Sequence, residues 1–179
     1  MPDLEVLENP KTNLASEVIS SDGKTLGKYY FNDNRTPVTF EELPSHLVDA
    51  LIATEDIRFY SHSGIDFKRT VAAAIKLGKD GGGSTITQQL AKLLFTGEGS
   101  RDIIERLTQK FKEYIIAVRL ERHYTKNEII TQYLNLYDFG NNGDGIRSAA
   151  RIYFGKEPID LDINESAILV GMLKNSSLY

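Results

Sequence analysis

Two adjacent carboxylates, Glu55 and Asp56, stand where an apolar helical stripe runs out, since Leu47, Leu51 and Glu55 repeat at i, i+4, i+8 beside Val48 and Ile52. Phe59 and His62 follow them. Burial disfavours a charged carboxylate and so suits it to proton transfer, while a neighbouring acid in a more polar setting stays ionised. The pair reads equally as an ordinary acidic helix end. A second group is Gly81-Gly82-Gly83-Ser84-Thr85, a glycine loop opening a helix. Such a loop can cradle a phosphate with its backbone N–H groups, but it lacks the Gly-Lys-Ser/Thr of a nucleotide-binding loop, and by itself it reads first as a plain connection. The third is a ridge of Arg106, Lys110 and Glu113, spaced 4 and 3, which lines up two cations and a carboxylate. A solvated charged face has the same pattern.

The elements that must position these groups are mostly helical. Ser16–Ser20 and Gly27–Phe31 flank a turn at Asp22-Gly23 and predict a small hairpin. From Pro44 the period becomes helical, with Ser45 as a cap. A short apolar segment through Ala72–Ile75 and a loop over Lys79–Gly83 lead to a helix capped by Ser84 or Thr85 and running through Gln89 to Lys92. The longest pattern spans roughly Asp102 to Arg122, where Ile104, Leu107, Phe111, Tyr114 and Val118 predict the core face. Arg106, Lys110, Glu113 and Ala117 lie on its other side. Because Ile116, Ala117 and Leu120 make its second half apolar nearly all round, this helix is expected to be central, with its polar ridge lining a cavity. Thr125 to Glu128 is a capping box for the next helix. A short helix should end at Gly155, and a last one should run from Glu165 to Lys174, capped by Asn164 or Asp162. The expected organisation is a mainly α fold with a small N-terminal β element: an extended hairpin segment over residues 1–40 and one helical unit over 41–179.

Composition narrows the chemistry. At 179 residues, with 41% hydrophobic and 26% charged side chains, the chain can build a real core. A net charge of −4 gives no electrostatic footprint for nucleic acid, so any anion site must be local. With no Cys and three scattered His, thiolate chemistry is excluded and a His-rich metal site is not expected. The longest apolar stretch, Ala167 to Leu173, is seven residues, against the roughly 20 that span a bilayer.

Read together, the motifs fall in one order: Ala53-Thr54-Glu55-Asp56-x-x-Phe59-x-x-His62-x-Gly64; Gly82-Gly83-Ser84-Thr85-Ile86-Thr87-Gln88-Gln89-Leu90-Ala91-Lys92; Lys110-x-x-Glu113-x-x-x-Ala117-x-x-Leu120-Glu121; Thr125-Lys126-x-Glu128-Ile129 with Tyr133-Leu134-Asn135; Gly145-Ile146 with Ala149-Ala150 and Tyr153-Phe154-Gly155-Lys156. This series resembles the peptidoglycan glycosyltransferase domain, glycosyltransferase family 51, of class A penicillin-binding proteins, from about Val18 to the last residue. The resemblance implies a lysozyme-like helical fold that polymerises lipid II into β-1,4-linked glycan strands with inversion, releasing undecaprenyl diphosphate at the outer face of the bacterial cytoplasmic membrane. It implies Glu55 as general base, Glu113 as second catalytic glutamate and Lys110 as the diphosphate's lysine. Asp56, Phe59, His62, Ser84, Thr85, Gln89 and Lys92 match motif positions that shape the substrate site.

Three departures stand out. Gln109 occupies a position where the family commonly has Arg, leaving Arg106, one turn before Lys110, to supply that diphosphate contact. Asp138 replaces an aromatic, and Lys92-Leu93-Leu94-Phe95 replaces Lys-Asn-Leu-Phe. Implied partners are lipid II, the growing glycan, moenomycin-type inhibitors, the membrane surface and other cell-wall synthesis proteins. A Mg²⁺ or Mn²⁺ ion on Glu113 is a candidate cofactor, with no organic cofactor expected. The usual membrane anchor is not expected in this stretch of sequence. The competing readings are a lysozyme-like muramidase and a non-catalytic glycan- or lipid-binding module. The Lys110 and Arg106 ridge argues against the first, because glycan cleavage has no diphosphate to hold, and retention of both glutamates argues against the second.

Overall fold

Asp22-Gly23 turns the chain as its sequence predicts: Gly23 takes φ +81°, a conformation glycine adopts without steric cost. Strands β1 (Ser16–Ile19) and β2 (Thr25–Tyr29) pair antiparallel, with an irregularity between Val18 and Ile19. Val18 and Leu26 remain exposed. The computed structural model describes residues 16–29, 35–75, 83–96 and 102–174. Its seven α-helices are α1 (Ser45–Glu55), α2 (Phe67–Ile75), α3 (Ile86–Ala91), α4 (Ile103–His123), α5 (Lys126–Leu136), α6 (Ile146–Phe154) and α7 (Ile163–Lys174). The predicted loop Lys79–Gly83 lies outside the described residues except for Gly83. A π-helical turn, Lys92–Thr96, continues α3.

Contacts divide the chain into two compact units. Among the described residues, one consists of Leu51–Tyr133. Its core is Leu51, Phe59, Ile86, Leu90, Ala91, Ile116, Ala117, Leu120, Ile129, Ile130 and Tyr133. Here α3 packs along α4. Local chemistry sets the helix ends: Thr85 caps α3 in a reciprocal box with Gln88, Asp102 caps α4, and Thr125 with Glu128 opens α5.

The orientation of α4 corrects the expectation from periodicity. Ile104 and Phe111, assigned to the core face, are 73% and 65% exposed, and Leu107 is exposed as well. Glu113, Ile116, Ala117 and Leu120 are buried instead. Both faces carry apolar residues, so the pattern alone does not choose between them. Packing chooses the face that admits a close neighbour. Gly64 takes φ +91° and lies so near the helix that a Cβ on it would meet the Ala117 backbone carbonyl at 2.8 Å. That approach of the two backbones requires glycine at position 64.

The other unit contains the described residues of Lys11–Ala50 and Leu134–Tyr179. Asn135 organises part of it as a two-way amide clamp: Val38 N–H donates to its Oδ1 at 2.9 Å, and its Nδ2 donates to the Val38 carbonyl at 2.9 Å. Gly155 ends α6 at φ +65°, as expected, and Asp162 caps α7 in a reciprocal box with Glu165.

Gly64→Ala should cost about 2–4 kcal/mol, combining left-handed strain with overpacking. Gly155→Ala, at a positive φ with nothing within 4 Å of an added Cβ, should cost only the strain, about 1–2 kcal/mol. Urea unfolding of the two variants checks the difference, and equal losses would refute the close approach.

Candidate functional site

Asp56 follows directly on α1 and is wholly buried, with its charge met by two donors. The Ile86 N–H, at the start of α3, donates to Oδ2 at 3.1 Å, and His62 Nε2 donates to the same oxygen at 3.0 Å. A carboxylate accepts only, so Asp56 fixes Nε2 as the protonated nitrogen of the His62 ring. Thr85 Oγ1 donates to the Gly64 carbonyl at 2.7 Å, and Thr87 Oγ1 donates to Glu121 Oε1 at 2.6 Å. Lys126 Nζ donates to Glu121 and to the His62 carbonyl, each at 2.7 Å, and lies 4.3 Å from the Phe59 ring centroid. Six residues of α3 are too few to persist alone, so these anchors and the buried Ile86 and Leu90 hold it.

Two chemically active groups meet at this short helix. From its middle, Gln89 Nε2 donates to Glu55 Oε2 at 2.8 Å, while its Oε1 accepts the Tyr133 hydroxyl at 2.8 Å. The Arg69 guanidinium donates to the Glu55 backbone carbonyl. Just before the helix, Ser84 Oγ accepts from Lys110 Nζ at 3.1 Å, and the same ammonium pairs with Glu113, whose side chain is 5% exposed against 45% for Lys110. One carboxylate is therefore held by an amide, while the other carries a half-exposed cation.

Asp66 steadies the Glu55 end. It caps α2 by accepting from the Arg69 N–H at 3.1 Å and pairs with Arg58 at 2.7 Å. Burial pushes its pKa up, but the Arg69 N–H bond and the Arg58 guanidinium outweigh that and hold its carboxyl below the usual carboxylate range.

Known proteins resemble this chain in sequence. A family model described as Transglycosylase matches residues 22–179. The chain belongs to the transglycosylase family. It is 38% identical over its whole length to penicillin-binding protein 1A of Pseudomonas aeruginosa and 37% identical to penicillin-binding protein 1A of Escherichia coli. Against penicillin-binding protein 1F of Bacillus subtilis it is 40% identical over 92% of its length. The chain spans about a fifth of the length of these relatives, covering 22%, 21% and 23% of them. The transglycosylase domain is thus a glycosyltransferase with the lysozyme-like helical fold of its family.

Within the transglycosylase domain, the expected site residues separate into two groups. Glu55 with Gln89, and Ser84 with Lys110 and Glu113, come together. Asp56, Phe59 and Thr85, expected to shape the substrate site, are each fully enclosed. Their groups, and the His62 ring beside Asp56, contact the protein itself. Arg106 stays exposed one turn before Lys110, and Lys92 is exposed at the far end of α3. Tyr133, Glu121, Lys126 and Asp66 received no role from the sequence. Tyr133 looked like any core aromatic, whereas the Glu121 and Lys126 charges beside a capping box were the available hint.

Asp66 makes stability pH-dependent. Because its folded pKa lies below its unfolded value of about 3.9, its contribution is present above about pH 4 and is lost as pH falls through the folded value. Asp66→Asn should cost about 1–2 kcal/mol at pH 7. The gap from wild type should close toward pH 2 in urea titrations, and a pH-independent gap would contradict the assignment.

Proposed function

We propose that this transglycosylase domain polymerises lipid II into β-1,4-linked glycan strands and releases undecaprenyl diphosphate, at the outer face of the bacterial cytoplasmic membrane. The observation carrying this reading is that α3 connects an amide-held carboxylate, Glu55, to a carboxylate-paired ammonium, Lys110 with Glu113. Glycosyl transfer from a diphosphate donor needs a base for the acceptor and positive charge for the leaving group. Cleavage of a glycan needs no diphosphate site.

Gln89 engages Oε2 of Glu55, which leaves Oε1 to take the proton from the 4-hydroxyl of the acceptor GlcNAc. The freed oxygen attacks the MurNAc anomeric carbon from the face opposite the diphosphate, the bond to the diphosphate oxygen breaks, and α becomes β. Lys110 offers its charge to the departing diphosphate, with Glu113 and Ser84 holding the ammonium in place. Ordinary leaving-group stability of a diphosphate removes the need for a protein acid once that charge is balanced. Tyr133, by donating to Gln89 Oε1, keeps the amide's N–H directed at Glu55.

Among the described residues no three Asp, Glu or His side chains come together as a metal cluster. A divalent cation at Glu113 would have to share that carboxylate with Lys110 and draw its other ligands from diphosphate and water. These residues do not form a cation cage of their own, and no step above is routed through a metal. The polyprenyl tail calls for a membrane-facing apolar surface. Of the segment 64–95, Phe67, Val71 and Leu93 are exposed while Leu90 is buried. No helix among the described residues is long and apolar enough to cross a membrane. Moenomycin-type phosphoglycolipids should compete with the donor, and other cell-wall synthesis proteins are proposed partners.

Labelled lipid II in detergent, resolved as glycan ladders, tests this reading. Glu55→Gln should lower polymerisation by about 10²–10⁴ with the fold intact. Tyr133→Phe should lower turnover less, by about fivefold, with little change in KM, since it removes one orienting hydrogen bond of about 1 kcal/mol. A Glu55→Gln variant that makes ladders at a tenth of the wild-type rate or better would falsify the base assignment. Lys110→Ala should depress turnover at least a hundredfold, in line with loss of one charge-stabilising donor, and weaken phosphoglycolipid binding. Wild-type turnover in that variant would reduce the Lys110–Glu113 pair to a surface ion pair.

A further inference from the structure

The face of α4 opposite Glu113 has no role in the chemistry above, yet it carries a continuous exposed apolar stripe. Ile104, Leu107, Phe111, Ile115 and Val118 repeat by three and four, and the first four are exposed at 73%, 57%, 65% and 45%. The stripe runs roughly 20 Å along the helix at 1.5 Å per residue. At its C-terminal end it becomes a groove of about 300 Å³ lined by Ile65, Tyr114, Ile115, Val118, Arg119 and Arg122. Among the described residues neither guanidinium enters a hydrogen bond or ion pair. Arg122 is nine positions beyond Glu113, about 180° round the helix at 100° per residue, so this is not the reacting face. The helix carries five Lys and Arg against three Glu, in a chain whose net charge is −4.

We propose that this groove binds an anionic phospholipid, with an acyl chain along Ile65, Tyr114, Ile115 and Val118 and the phosphate between Arg119 and Arg122. Complementarity supplies the choice of occupant. An apolar floor takes a hydrocarbon chain, and two unpaired guanidinia at its rim take an anionic oxygen cluster bidentately. An amphipathic helix with exposed Phe, Ile and Leu and terminal arginines has the composition of an element lying in a bilayer interface. The inference rests on the reading that the domain works at a membrane, and it adds a headgroup charge preference.

The test uses the 179-residue chain in cosedimentation with phosphatidylcholine vesicles and with vesicles containing phosphatidylglycerol, at low and high salt. Wild type should prefer the anionic vesicles, and salt should weaken that preference. Arg119→Gln with Arg122→Gln should lower anionic binding by about thirtyfold, at about fivefold per Arg, while circular dichroism and lipid II polymerisation in detergent stay unchanged. Phe111→Ser should weaken binding to both vesicle types alike. Equal binding of wild type to both vesicles, or unchanged anionic binding by the double variant, overturns the site while leaving membrane association standing. Failure of wild type to bind either vesicle overturns both.

Discussion

A single buried carboxylate holds the arrangement together. Asp56 carries a charge with no exposure to water, so its cost must be met by donors, and the two it finds are the first N–H of α3 and the His62 ring. The helix that it anchors presents Gln89 to Glu55 and places Ser84 beside Lys110. Removing that charge would leave both donors unpaired in the core and would release the element to which the base and the cation are both attached. Asp56 therefore acts through placement, and on the proposed reading the residue next to it in sequence does the proton chemistry.

The two glutamates sit in different surroundings. Glu55 is partly exposed and accepts from the neutral Gln89 amide. Glu113 is nearly enclosed and bears an ammonium, so its charge is committed to Lys110. The amide between Glu55 and Tyr133 has its direction set from both ends: a carboxylate demands a donor, and a phenol donates to the carbonyl on the other side.

Helix α4 serves two surfaces at once. Its Glu113, Ile116, Ala117 and Leu120 side packs inward, with Gly64 against the Ala117 backbone, while a longer apolar stripe remains outside. On the proposed reading, in which the donor ends in a polyprenyl chain, an outward apolar stripe is an asset and not a folding error.

The sequence by itself determined the elements and the chemistry of their ends. The Asp22-Gly23 hairpin, the Thr85 and Thr125 caps and the glycine stop at 155 were all legible, because each depends on residues within a few positions of one another. The pairing of Gln89 with Glu55 and of Lys110 with Ser84 was only half legible: the residues stood out, but their partners did not. Tertiary structure alone decided that Asp56, Phe59 and Thr85 lie inside, that Tyr133 orients Gln89, and which face of α4 is buried. Those outcomes turn on contacts across 21 to 53 positions of chain, such as Gly64 with Thr85, Gln89 with Tyr133 and Gly64 with Ala117. A periodic pattern records that a helix has two unlike faces, but close approach of one glycine to one alanine selects the face that goes inward.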